Sequence, residues 1–151
     1  MVSGGESRPS MERREFVSYS LMDIEGIGPL MAAKLKTLGI RTTESLLETA
    51  KNVKGRKALA AKIGVDEKTV LKWANMADRM RIKGVGEDYA ELLQAAGVDT
   101  VRELKYRNVG NLAKAMAKAN RERKLVSVLP SEGRVKRWIE QAKSLPVKIS
   151  Y

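Results

Sequence analysis

One pattern, written twice, restricts this chain more than anything else in it. It reads Ile24-Glu25-Gly26-Ile27-Gly28-Pro29, then Ala32, Leu35, Gly39-Ile40, Thr42 and Leu46. It returns 58 residues later as Ile82-Lys83-Gly84-Val85-Gly86-Glu87, then Ala90, Leu93, Gly97-Val98, Thr100 and Leu104. The glycines, the alanine, the leucines and the threonine keep one offset, the mark of a structural unit used twice. The offset then widens to 65, where Val70, Trp73 and Ala77 pair with Val135, Trp138 and Ala142. Seven extra residues in the second copy, placed most simply between Asn120 and Leu129, account for the difference.

The intervening residues read as helices. Ala, Leu, Lys, Arg, Glu and Met dominate, and β-branched residues do not alternate in runs. Pro29 suits the first position of a helix that Gly39 closes, and Thr42 or Thr43 caps the next. After a linker around Lys51 to Gly55, Arg56 to Ile63 forms a helix that stops at Gly64. Asp66 caps a longer helix from Glu67 to about Arg81, with Val70, Leu71, Trp73, Ala74, Ala77 and Met80 at helical spacing. The second copy supplies helices over Glu87 to Ala96, from Asp99 or Thr100 to about Tyr106, and over Asn108 to Ala119. Arg121 to Lys124 reads as a polar link, and Pro130-Ser131 opens a last helix through Ala142. The expectation is an all-α fold of about ten helices, in two pseudo-equivalent helical repeats packed as a compact bundle. The first repeat spans 19–81 and the second 82–145, with a flexible tail over 1–18, a short lead-in helix from Met11, and a C-terminal tail over 146–151. Each Trp stands four residues before an alanine, a spacing that favours a core anchor over a base-stacking platform.

Composition narrows the chemistry. The chain has no cysteine and no histidine, which excludes disulfides and thiolate catalysis and removes the usual metal ligand and general base. Without a membrane-length apolar run or a signal-like start, it reads as cytoplasmic, and as nucleoid-associated if it binds DNA. The net charge is +11, which points to a polyanionic partner. That charge is uneven: residues 1–25 sum to −2, 26–65 to +6, 66–105 to −1 and 106–151 to +8. The excess gathers around Lys54, Arg56 and Lys57, and around Lys114, Lys118, Arg121, Arg123, Lys124, Arg134 and Arg137, where acids are few.

A Gly-x-Gly turn between two helices permits positive φ and close approach, and it aims backbone N–H groups and a helix N-terminus at the same point. Such a site holds a phosphate and does not read base identity. Gly26, Ile27, Gly28, Pro29, Ala32 and Leu35, and again Gly84, Val85, Gly86, Ala90 and Leu93, resemble the helix-hairpin-helix motif. The whole arrangement, from Leu21 to Leu145, also resembles an uncharacterised family built on a duplicated helix-hairpin-helix unit. The features that carry this are Gly55-Arg56-Lys57, Trp73 with Ala77, the run Arg81 to Gly86 and the helix from Pro130 to Ala142. The resemblance implies binding to double-stranded DNA without sequence preference, hairpin amides on the phosphates, and no cofactor beyond a monovalent cation at a hairpin. The chain departs from that pattern in the first turn after each second glycine. Pro29-Leu30-Met31 stands in one copy and Glu87-Asp88 in the other, where basic residues often lie. The two acids favour the first hairpin as the stronger phosphate site.

Other readings stay open. Leu59 to Trp73 has the alanine, turn glycine and valine spacing of a helix-turn-helix, which would offer Lys68, Thr69 and Lys72 to a major groove. A protein-interaction scaffold braced by the hairpins is the other. Lyases that use this hairpin carry a nucleophile after the second glycine, where this chain has Leu30 and Asp88, so no enzyme is expected.

Overall fold

The computed structural model describes residues 19–151; the tail over 1–18 and the lead-in helix from Met11 fall outside it. The described residues form a 3-10 turn, Leu21–Asp23, and eight α-helices. They are α1 (Pro29–Thr37), α2 (Thr43–Ala50), α3 (Val53–Ile63), α4 (Glu67–Arg79), α5 (Glu87–Ala95), α6 (Val101–Leu104), α7 (Val109–Arg123) and α8 (Glu132–Ser144). No strand forms among them beyond one isolated bridge between Ser20 and Thr42.

The caps set these boundaries. Thr42 accepts from the Ser45 N–H, and the Ser45 hydroxyl answers the Thr42 N–H, a reciprocal pair that starts α2. Thr100 starts α6 with Glu103 in the answering role. The linker expected at Lys51 to Gly55 is shorter than its composition suggests, because the Asn52 side chain accepts from the Gly55 N–H and begins α3 at Val53. The polar link expected at Arg121 to Lys124 is instead the last turn of α7, since Arg and Glu are good helix formers whatever their exposure. That helix ends on Lys124 at φ 51°, ψ 50°, a left-handed cap usually left to glycine. Lys124→Gly should therefore raise stability by about 0.5–1 kcal/mol in urea denaturation, despite losing a side chain.

Amphipathic faces close one continuous core. α2 and α3 pack on α4, α6 and α7 pack on α8, and α4 crosses to α5. Leu35, Leu46, Trp73, Met80, Ile82, Val85, Leu93, Leu112 and Trp138 meet inside it, so both Trp side chains serve the core. Arg79 locks the α4–α5 joint: its Nε donates to the Ala90 carbonyl at 2.8 Å and its Nη1 to the Asp99 carbonyl at 2.9 Å. Burial pulls its pKa down to about 10, with Asp99 and Asp78 opposing, so it stays cationic at neutral pH.

The C-terminal residues after α8 pack on the body. Ile149 is buried, the Ser150 N–H donates to the Lys51 carbonyl, and Lys148 pairs with Glu48. No helix among the described residues is long and apolar enough to cross a membrane.

Candidate nucleic-acid interface

Both glycine turns adopt the same backbone. Gly26 has φ 96° and Gly84 has φ 89°, left-handed values that any side chain would strain. A Cβ at Gly26 would also lie 3.2 Å from the Trp73 Nε1, and one at Gly84 would lie 3.4 Å from the Trp138 Nε1. Each turn is therefore pressed against the indole edge of a 13-residue helix, α4 for the first and α8 for the second. Ile27 and Val85 are buried beneath the turns and anchor them.

The second glycines are different. Gly28 and Gly86 have φ near −90° and nothing within 4 Å of an added Cβ, so neither the backbone nor the packing demands glycine. What glycine leaves at these N-caps is open space over the first turn of the next helix. No side chain caps either helix. The N–H groups of Glu87, Asp88 and Tyr89 are uncapped at α5, whereas α1 offers only Leu30 and Met31 because Pro29 has no N–H.

The surroundings separate the two turns. Gly26 opens onto a cleft of about 340 Å³ lined by Glu25, Thr69, Lys72, Trp73, Glu91 and Gln94 among others, so α5 reaches over it with a carboxylate. Burial raises the Glu91 pKa, and Glu25, Asp88 and Glu87 raise it further against Arg123. Glu87 is raised too, by burial and then by Asp23 and Asp88. Acids from both halves thus gather beside the first turn, where they offset Lys72 and Arg79 in the same cleft.

Gly84 opens onto a cleft lined by Lys83, Arg134, Arg137, Trp138 and Gln141. The sequence offsets make the contrast plain: Lys83 stands where the first copy has Glu25, Arg134 where it has Thr69, and Arg137 where it has Lys72. None of the three cations is within ion-pair distance of a carboxylate among the described residues. Arg134 is held by stacking, its Cζ 5.1 Å from the Tyr89 ring centre and 5.7 Å from that of Trp138. Tyr89 is fixed in turn by donating to the Val128 carbonyl at 3.0 Å. Glu87 and Asp88 lie on the other side of the same turn, with Val126, Ser127 and Val128. The two acids on which the preference for the first hairpin rests thus share their turn with Lys83 and with two cations brought by α8, Arg134 and Arg137.

The remaining basic residues divide. Lys114, Lys118 and Arg121 share one exposed face of α7, with Arg123 and Lys124 exposed at its end. Lys54 and Lys57 are exposed in the first turns of α3, where cations oppose the helix dipole. Arg56 departs from expectation. It is 5 % exposed, and its guanidinium donates to the Ala50 carbonyl at 3.0 Å and the Ser150 carbonyl at 2.6 Å. It braces the C-terminal segment and presents no donor to a surface ligand. Lys83 and Gln141 were not among the expected contact residues, although the Glu25 to Lys83 exchange is visible at the repeat offset, and Trp138 was expected as a core anchor. On α4, Thr69 and Lys72 line the cleft beside Glu25 and Glu91, which turns the proposed groove-reading face toward acids.

No curated protein and no solved structure matches the chain. A sequence model of one family, described as a domain of unknown function (DUF4332), matches residues 25–145, which include both turns and all eight helices up to the end of α8. The chain belongs to that family, DUF4332.

Proposed function

We propose that the chain is a tandem helix-hairpin-helix protein that binds nucleic acid through the phosphate backbone, double-stranded DNA without sequence preference, with the second hairpin as its principal contact. The observation that carries this reading is the unpaired cationic rim of the Gly84 turn, formed by Lys83, Arg134 and Arg137. The uncapped amides of α5 and the open space over Gly86 support it, and the exposed cations of α7 and of the start of α3 extend the positive surface. Backbone amides and mobile cations make contacts that follow charge spacing rather than base edges. The net charge of +11 favours association at low salt.

A gel shift with random duplex, single-stranded DNA and RNA across a salt series tests it. Log K should fall against log salt by about one unit per phosphate contact on duplex. No shift at low salt overturns the reading and leaves a protein-interaction scaffold in its place. Gly86→Ala sharpens the test, because the site has room for a methyl group and no φ strain. Its melting temperature should fall by only a few degrees, since alanine is a poorer N-cap than glycine. Its affinity for duplex should drop about threefold if a phosphate seats against that amide.

A further inference from the structure

The cleft beside Gly84 holds more donors than a passing phosphodiester requires. Lys83, Arg134 and Arg137 line it together, and its floor is Trp138, which is 2 % exposed. The Trp138 indole N–H finds no acceptor among the described residues, although its nitrogen lies 3.4 Å from where a Cβ of Gly84 would be. The Gln141 Oε1 accepts from the Lys83 N–H at 3.0 Å, which fixes the side chain and leaves its amide N–H groups as further donors. The guanidinium of Arg134, clamped against Tyr89 and Trp138, is oriented before any ligand arrives.

A phosphodiester carries one negative charge and two free oxygens. A terminal phosphomonoester carries close to two charges at neutral pH and three free oxygens, and it can enter a recess that a continuous strand can only cross. Three cations outside ion-pair distance of any carboxylate among the described residues, an indole N–H and an amide around one recess match the second species. We propose that this cleft is a site for a terminal phosphate, the phosphomonoester at a nucleic-acid strand end. The proposal rests on the polyanion reading above and adds end recognition to it. The corresponding cleft at Gly26 also has an indole, Trp73, and two cations, Lys72 and Arg79, but Glu25 and Glu91 line it with them, whereas no carboxylate lines the cleft at Gly84.

Fluorescence anisotropy with short duplexes of one sequence tests the proposal. The duplexes carry 5′-phosphate, 3′-phosphate or hydroxyl ends, and inorganic phosphate serves as competitor. At least one phosphorylated end should bind about tenfold tighter than the hydroxyl end, the added charge and oxygen being met by charged donors. Which arm gains identifies the strand end, and displacement of either phosphorylated arm by inorganic phosphate at equal concentration would assign the cleft to the free ion. Equal affinity for all ends overturns end recognition while leaving backbone binding intact, and no binding to any duplex overturns both. Trp138→Phe keeps an aromatic ring but removes the indole donor. It should lower the ratio of phosphorylated to hydroxyl affinity, read on protein whose melt shows it folded. An unchanged ratio overturns this cleft as the seat of end recognition.

Discussion

Alanine at Arg56 should cost the fold about 3 kcal/mol and leave the salt dependence of nucleic-acid binding unchanged, whereas alanine at Lys54 and Lys57 together should do the reverse. Arg56 sits inside the first cationic block and looks, by position, like its neighbours. Its guanidinium is nevertheless buried and joins the Ala50 carbonyl at the end of α2 to the Ser150 carbonyl, 94 residues away in the chain. Truncation leaves two carbonyls short of a charged donor and opens space under the segment that carries Ile149. Hydrogen bonds from charged groups contribute about 1.5–3 kcal/mol each, and the lost contacts are coupled, so the costs do not simply add. Lys54 and Lys57 are exposed at the start of α3, where the helix dipole disfavours cations by ~0.3–1 kcal/mol each. Removing them should slightly stabilise the helix and flatten the slope of log K against log salt by up to about two units. Urea denaturation and a salt series on both variants separate the two roles. A flattened slope for Arg56→Ala with unchanged stability would return that residue to the surface.

Arg56 also marks where sequence reasoning stops. The helices were legible because their evidence is local. Pro29 starts α1, Gly64 closes α3 in a left-handed conformation, and the apolar positions of α4 recur at helical spacing. The glycines at 26 and 84 were legible as turns for the same reason. The partner of Arg56 was not, since nothing near Gly55 announces a contact with Ser150. The charges that surround each turn were not legible either. Glu87 and Asp88 are adjacent to the second turn in sequence and so dominated its reading, while Arg134 and Arg137 reach it only through the packing of α8. One of the acids lining the cleft at the first turn, Glu91, likewise arrives from the other half of the chain. Charge blocks counted along a sequence record density, and only the packing says which charges face one another.

The acids beside the second turn yield the other large expectation. Glu87→Lys with Asp88→Lys should tighten duplex binding about fivefold at moderate salt. At ~8 Å in water, two unit charges interact by about 0.5 kcal/mol before screening. A change of four charge units near one phosphate then amounts to about 2 kcal/mol unscreened and roughly 0.9 kcal/mol at a ~10 Å Debye length, about a fivefold change in affinity. Cations in the first turn of α5 oppose its dipole by ~0.3–1 kcal/mol each, but the exchange also relieves the repulsion that raises Glu91. The parent protein should show a weaker form of the same effect on acidification. Burial and neighbouring acids place the folded-state pKa values of Glu87 and Glu91 above the ordinary carboxylate value. A carboxyl raised in this way binds more protons folded than unfolded, so its contribution to stability improves as pH falls through the raised value and is at its least favourable above it. The same protonation strips negative charge from beside both turns, so affinity should rise as pH falls toward that range, and the lysine double variant should have lost the Glu87 part of the rise. Anisotropy titrations of both proteins at several pH values and fixed ionic strength measure it. If the double variant binds no more tightly than the parent, the polyanion does not sit at the second hairpin, and the exposed face of α7 becomes the contact to test next.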